Sequence, residues 1–169
     1  MIVLVGLMGT GKSTIGGVIA KRCGRRLVDS DRMIEESTGQ TVRELWESGG
    51  EEAYRALESA VVLDALEQGP PVVIAAPGGV VLDPRVRDAL AEAFVVWLRA
   101  RPETLAGRVE AGDHRPLLDN TPVEAFSAMA NERSELYARV ADLVIDVDSM
   151  SPQRCADVIL EHFELFAKT

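Results

Sequence analysis

Cysteine and histidine are nearly absent from this sequence. Cys23 and Cys155 form neither a CxxC pair nor a metal-ligand spacing, so the chain encodes neither a disulfide framework nor a zinc site. Both read as buried or half-buried thiols on helices, which suits a reducing compartment and a cytoplasmic protein. His114 and His162 are too isolated to suggest a metal site. Long hydrophobic runs are missing too: none approaches the roughly 20 residues that span a bilayer. Met1 to Met8 is apolar but lacks a basic leader, and Gly9, Gly11 and Lys12 follow at once, so it does not read as a signal peptide. Positive charge is in deficit, with 18 Lys and Arg against 27 Asp and Glu and a formal net charge of −9. Such a surface repels nucleic acid and anionic membranes, and neither is expected as a partner. If the ligands are nonetheless anions, the basic residues must be gathered in one cleft.

What is present fits one compact domain over residues 1–169 with a substantial core. Apolar, β-branched runs alternate with helical patterns, which predicts an α/β fold with a parallel sheet. Five strands are expected: Ile2–Val5, Arg26–Val28, Val72–Ala75, Phe94–Leu98 and Leu143–Val147. Val72–Ala75 is continuously apolar, as a strand buried on both faces should be. Thr41-x-x-Glu44 and Thr121-Pro122-x-Glu124 read as capping boxes. Asp83-Pro84 and Ser151-Pro152 read as a cap followed by proline. Gly39 is placed to end a short helix begun near Asp31. Glu110 to Asn120 shows no period and reads as a mobile loop of the kind that is often functional.

The strongest chemical signal is Gly6-Leu7-Met8-Gly9-Thr10-Gly11-Lys12-Ser13, which fits G-x-x-x-x-G-K-[ST] between an apolar strand and a helical stretch. Its glycines let successive N–H groups curl around phosphate oxygens. The helix that follows adds unpaired N–H groups and the positive end of its dipole. Gly9, Thr10, Gly11, Lys12, Ser13 and Thr14 are the candidate nucleotide-binding residues. Lys12 would place its charge on the β- and γ-phosphates, and Ser13 would offer a hydroxyl to Mg²⁺.

Asp29-Ser30-Asp31 follows the second strand. Two carboxylates one residue apart at a strand end can share one side of the sheet, at the rim where open α/β sheets bind ligands. One carboxylate near the metal and one near an acceptor hydroxyl is what phosphoryl transfer needs. Asp31 reads equally as a helix N-cap. Glu51, Arg55 and Glu58 stand at i, i+4 and i+7 and share a helix face, which is either a solvated, salt-bridged face or part of a site.

These stretches together resemble the shikimate kinase family. The resemblance rests on the P-loop, Asp29-x-Asp31, Gly50-Glu51-x-x-Tyr54-Arg55-x-x-Glu58, Gly78-Gly79, Arg115-Pro116-Leu117-Leu118 and Glu132-Arg133-x-x-Leu136-Tyr137, in order from about Val3 to Asp148. It implies a three-layer α-β-α fold with strand order 2-3-1-4-5, like nucleoside monophosphate kinases. It also implies phosphorylation of the 3-hydroxyl of shikimate with ATP as co-substrate and Mg²⁺ as cofactor, in a monomeric enzyme. Asp31 would bind the acceptor hydroxyls and act as general base, and Asp29 would support Mg²⁺. Arg55 and Arg133 would clamp the acceptor carboxylate, with Glu58 orienting Arg55. Gly78 and Gly79 would bring N–H groups to the acceptor, within an acceptor-binding region of helices at about 31–60. Arg115 would swing in with a lid at 110–120 as a third catalytic residue beside Lys12 and Asp31, and Arg108 would contact the nucleotide. Trp46 and Tyr54 either wall the acceptor pocket or pack the core, and Arg108 has a solvated surface reading beside its nucleotide reading. Lys12, Arg55, Arg115 and Arg133 would form a positive cleft inside an acidic shell.

The pattern departs from the family at Pro77-Gly78-Gly79, where similar proteins carry three glycines. Proline has no N–H and a fixed φ. The loop from Asp146 to Pro152 matches only loosely. Two other functions fit the same residues: a related kinase acting on another hydroxy acid such as gluconate, and a nucleotide-binding regulatory module without turnover.

Overall fold

The computed structural model describes residues 1–69, 72–109 and 122–168. The lid stretch 110–120, Arg115 and the Thr121 cap lie outside the described residues.

Five short strands, β1 (Ile2–Val5), β2 (Arg26–Asp29), β3 (Val72–Ala75), β4 (Phe94–Arg99) and β5 (Leu143–Asp146), form one parallel sheet in the order β2-β3-β1-β4-β5. The order is the one the resemblance implies. Central β1 shows why its sequence is apolar throughout. Val3 and Val5 face one layer of core, while Ile2 and Leu4 face the other, and all four are fully buried. With helices on both faces no position is left for a polar residue. Each such side chain contributes roughly 1.5–3 kcal/mol by leaving water.

On one face lie α1 (Lys12–Cys23) and α7 (Pro152–Phe166). On the other lie α3 (Val42–Glu67), α4 (Pro84–Ala89) and α6 (Pro122–Val140), with α5 (Pro102–Arg108) packed on α6. The short α2 (Ser30–Thr38) packs on α3 beyond the sheet, where Ile34, Leu45 and Tyr54 make a small separate core. Gly50, at φ 73° and ψ 179°, breaks α3 into two segments.

Local signals start and stop these helices. Thr41 Oγ1 accepts from Glu44 N, and Glu44 Oε2 accepts from Thr41 N at 2.7 Å, closing the capping box. Asp83 and Ser151 cap α4 and α7, each with proline next in line. Gly39 ends α2 in the left-handed region, donating to Glu35 O.

Three expectations need correction. The N-cap of α2 is Asp29, whose carboxylate accepts from Arg32 N, while Asp31 sits inside the first turn. The helix therefore begins at once after the strand, with Ser30, so Asp31 reaches the same rim as Asp29 from the first turn of α2 and not through strand alternation. Cys23 is exposed rather than buried, because it ends α1 on the solvent side next to the Gly24 cap; Cys155 is buried. The strand ends also shift by a residue: β2 reaches Asp29, β4 reaches Arg99 and β5 stops at Asp146. No described helix is long and apolar enough to cross a membrane.

Candidate active site

The carboxyl end of β1 runs into the glycine-rich loop, and α1 begins at Lys12 directly after Gly11. Gly11 has φ 88°, a conformation that L side chains rarely adopt, and this turn aims the start of α1 at the loop. Lys12, Ser13 and Thr14 are then the first residues of the helix, where backbone N–H groups have no intrahelical partner. No acidic side chain occupies that turn to compete with an anion. Lys12 Nζ folds back over the loop and donates to Gly6 O and Leu7 O at 2.8 and 2.9 Å. Thr10 is buried, and its hydroxyl ties the loop by donating to Leu7 O at 2.8 Å.

The loop forms one wall of a cleft of about 520 Å³. Gly9 to Thr14, Asp29, Asp31, Gly78 and Arg108 all line it, so most of the expected nucleotide and metal residues meet in one place. Asp29 comes from the end of β2 and Asp31 from the first turn of α2. Ser30 between them is buried and donates to Ala75 O at 2.8 Å, which locks the start of α2 to the end of β3. Sequence reasoning gave Ser30 no role, because its partner is 45 residues away. Arg108 bridges the two sides of the cleft mouth, donating to Gly9 O (3.3 Å) and Val147 O (3.0 Å). The loosely matching loop enters here too, through Val147, Met150 and Pro152.

Among the described residues no group of three or more His, Cys, Asp or Glu side chains could hold a metal by itself. The donors present are the Ser13 hydroxyl and the Asp29 and Asp31 carboxylates, all hard oxygens on one cleft. That set fits Mg²⁺, which keeps several waters and usually takes one or two carboxylates together with substrate phosphates.

Arg55, Glu58 and Arg133 do not line this cleft. They gather beside it, around Gly78 and Gly79. Arg55 donates to Glu58 at 2.7 Å and to Glu51 at 3.3 Å. The face these three share is not a solvated one: Glu51 is open to water, but Glu58 is only 3% exposed. Burial pushes the Glu58 carboxyl above its ordinary value, and the Arg55 guanidinium pulls it back. Burial likewise works against the Arg55 charge, and Glu58 and Glu51 outweigh it. The Arg55 guanidinium also lies over the rings of Trp46 (5.6 Å) and Tyr54 (5.9 Å). Tyr54 is therefore a core residue and Trp46 a half-buried one, and both support Arg55.

Arg133 is buried on α6, where it donates to Glu132 at 2.9 Å and to Gly78 O at 3.3 Å. The two glycines join the halves of the site. A Cβ at Gly78 would press on Gly6 O of the P-loop at 3.3 Å. A Cβ at Gly79 would fall on the Arg55 guanidinium and the Glu58 carboxylate.

A phosphate-binding loop after the first of five parallel strands, with an acidic rim and a guanidinium pair next to it, defines a P-loop phosphotransferase. A family model for shikimate kinase matches residues 8–164, and the chain belongs to the shikimate kinase family. It is 44% identical over 167 residues to a shikimate kinase of Symbiobacterium thermophilum, covering 96% of this chain and 94% of that one. The structure matches that of a shikimate kinase from Acinetobacter baumannii in complex with shikimate, with TM-score 0.91, 32% identity and coverage of 96% and 91%. A gluconokinase from Sinorhizobium meliloti shares the fold at TM-score 0.61, with 19% identity and coverage of 99% and 93%.

Proposed function

We propose that this protein transfers the γ-phosphate of ATP to the 3-hydroxyl of shikimate, giving shikimate 3-phosphate and ADP. The observation that carries this reading is the Gly78–Gly79 junction, which sets a phosphate cradle directly against two guanidiniums suited to a carboxylate. Family membership supports the same reaction.

The N–H groups from Gly9 to Thr14 and the Lys12 ammonium hold the β- and γ-phosphates, and Arg108 closes over the nucleotide. Ser13 and Asp29 would hold Mg²⁺, which would supply positive charge to offset that of the phosphates. Arg55, oriented by Glu58, and Arg133 take the acceptor carboxylate as planar forks. Gly78 and Gly79 offer N–H groups to the acceptor. Asp31 orients the hydroxyl and accepts its proton as the new O–P bond forms. The bond between the γ-phosphorus and the β–γ bridging oxygen breaks, and its electron pair leaves with ADP. Lys12 and Arg115, the latter in the segment outside the described residues, stabilise charge on the phosphoryl group in transfer. Closure of 110–120 as a lid would exclude water as a competing acceptor. A cytoplasmic monomer is the setting in which we place this activity.

The test is ADP release from Mg·ATP with shikimate, with gluconate, and with no acceptor. Turnover dependent on shikimate is the expected result. ATP binding without shikimate-dependent turnover would refute the assignment, and Pro77 would be the first residue to revert to glycine.

A further inference from the structure

Tyr137 carries no function in the reading above, yet it is the largest fully buried side chain among the described residues. It stands one turn after Arg133 on the same face of α6, so both side chains reach the same neighbour. That neighbour is a single atom. The Tyr137 hydroxyl donates to Gly78 O at 2.5 Å, and Arg133 Nη1 donates to the same oxygen at 3.3 Å. The Tyr137 ring is itself fixed by stacking on Trp97, with centroids 5.6 Å apart and planes 25° apart. Burial pushes the hydroxyl well above the ordinary tyrosine range, so it remains a donor at any working pH.

Gly78–Gly79 needs such an anchor. A peptide flanked by two glycines has the least steric restraint on its plane. The peptide is rigid and trans, so holding the Gly78 carbonyl toward α6 sends the Gly79 N–H in the opposite direction. Gly79 adjoins Arg55 and Glu58, and Gly78 adjoins the P-loop. The orientation of this one plane therefore decides how the acceptor residues stand against the phosphate cradle.

We propose that Tyr137 is a positioning residue for the acceptor side: together with Arg133 it fixes the plane of the Gly78–Gly79 peptide and sets the place of the Arg133 guanidinium. The inference rests on the acceptor assignment of the preceding section, and its test separates the two. Tyr137→Phe removes the hydroxyl and keeps the ring on Trp97. In the protein without ligands, the variant should shift the Gly78 carbonyl ¹³C and Gly79 amide resonances while leaving the amides of Gly9 to Ser13 in place. In the coupled assay, KM for shikimate should rise about three- to tenfold, the usual worth of one hydrogen bond, with KM for ATP unchanged. Unmoved Gly78 and Gly79 resonances, or equal changes in both KM values, would overturn the proposal. If the unaltered protein does not turn over shikimate, the acceptor assignment falls, and the resonances alone decide the role of Tyr137.

Discussion

On the side proposed for the nucleotide, the donors are mostly main-chain N–H groups from one unbroken stretch, Gly9 to Thr14, joined by the Lys12 side chain and shaped by a strand end and a helix start. On the side proposed for the acceptor they are the side chains of Arg55 and Arg133, from two helices far apart in sequence, gathered around Gly78 and Gly79. The first arrangement suits a ligand group common to all nucleotides, since backbone geometry hardly changes with side-chain substitution. The second suits a variable acceptor, because each donor can be exchanged without touching the cradle. Specificity should therefore be separable from phosphoryl transfer in this protein, and substitutions on the two sides should have distinct kinetic signatures.

Lys12→Met should give the largest effect. It removes the one side-chain cation contributed by the cradle itself, and kcat should fall on the order of 10²–10³-fold, as when an oxyanion donor is lost elsewhere. Arg133→Ala should act on the other side. Losing one partner of a charged contact to a carboxylate costs about 2–5 kcal/mol, so KM for shikimate should rise on the order of 10²-fold while ATP binding, read by calorimetry, is spared. Equal loss of both would break the division between the sides and remove Arg133 from the acceptor site.

The paired glycines sharpen the comparison further. Gly79 has φ −91°, which alanine adopts freely, so Gly79→Ala acts only through its Cβ. That atom would displace the Arg55 guanidinium and the Glu58 carboxylate. Overpacking of this kind costs about 1–3 kcal/mol, and KM for shikimate should rise roughly tenfold with KM for ATP constant. One residue earlier the Cβ of Gly78→Ala would press on Gly6 O at 3.3 Å and lie near Met8 N at 3.6 Å. There the change should be about two- to fivefold and fall on KM for ATP, since a few tenths of an ångström of loop movement relieve it. Identical profiles for the two alanine variants would mean that the junction does not separate the halves.

The same contrast governs what could be read from the sequence. The sheet was legible because β1 and β3 are short apolar runs with helices on both faces, and the P-loop because its parts are contiguous. Helical spacing placed Arg55 and Glu58 on one face, and the family resemblance, not the spacing, implied that Glu58 orients Arg55. The close approach of Gly79 to that pair was not legible, nor was the Tyr137 bond to Gly78, whose partners lie 59 residues apart. Such contacts depend on how α3 and α6 dock on the sheet, and no local pattern records that docking. Even a local feature escaped where two residues competed for it: Asp29 and Asp31 both suit an N-cap, and the immediate start of α2 at Ser30 gave it to Asp29.

The smallest effect should come from Asp83→Asn, just beyond the acceptor loop. Asp83 caps α4 by accepting from Arg85 N at 2.9 Å, and asparagine can accept the same bond. What is lost is charge. Hydrogen bonding from the Arg85 side chain holds the Asp83 carboxyl far below the ordinary aspartate range, against the opposing effect of burial. A depressed folded pKa contributes stability that is present above the unfolded value, near 4, and is lost as pH falls below it. In thermal unfolding at pH 7 the unaltered protein should therefore be the more stable of the two, by the modest amount that a partly exposed ion pair contributes, and it should lose that margin as pH falls below about 4. Both KM values should stay where they are. If Asp83→Asn raised KM for shikimate, the glycine loop would be held through the 80–82 turn and α4 as well as through α6, and the acceptor side would be more widely supported than the contacts of Tyr137 and Arg133 imply.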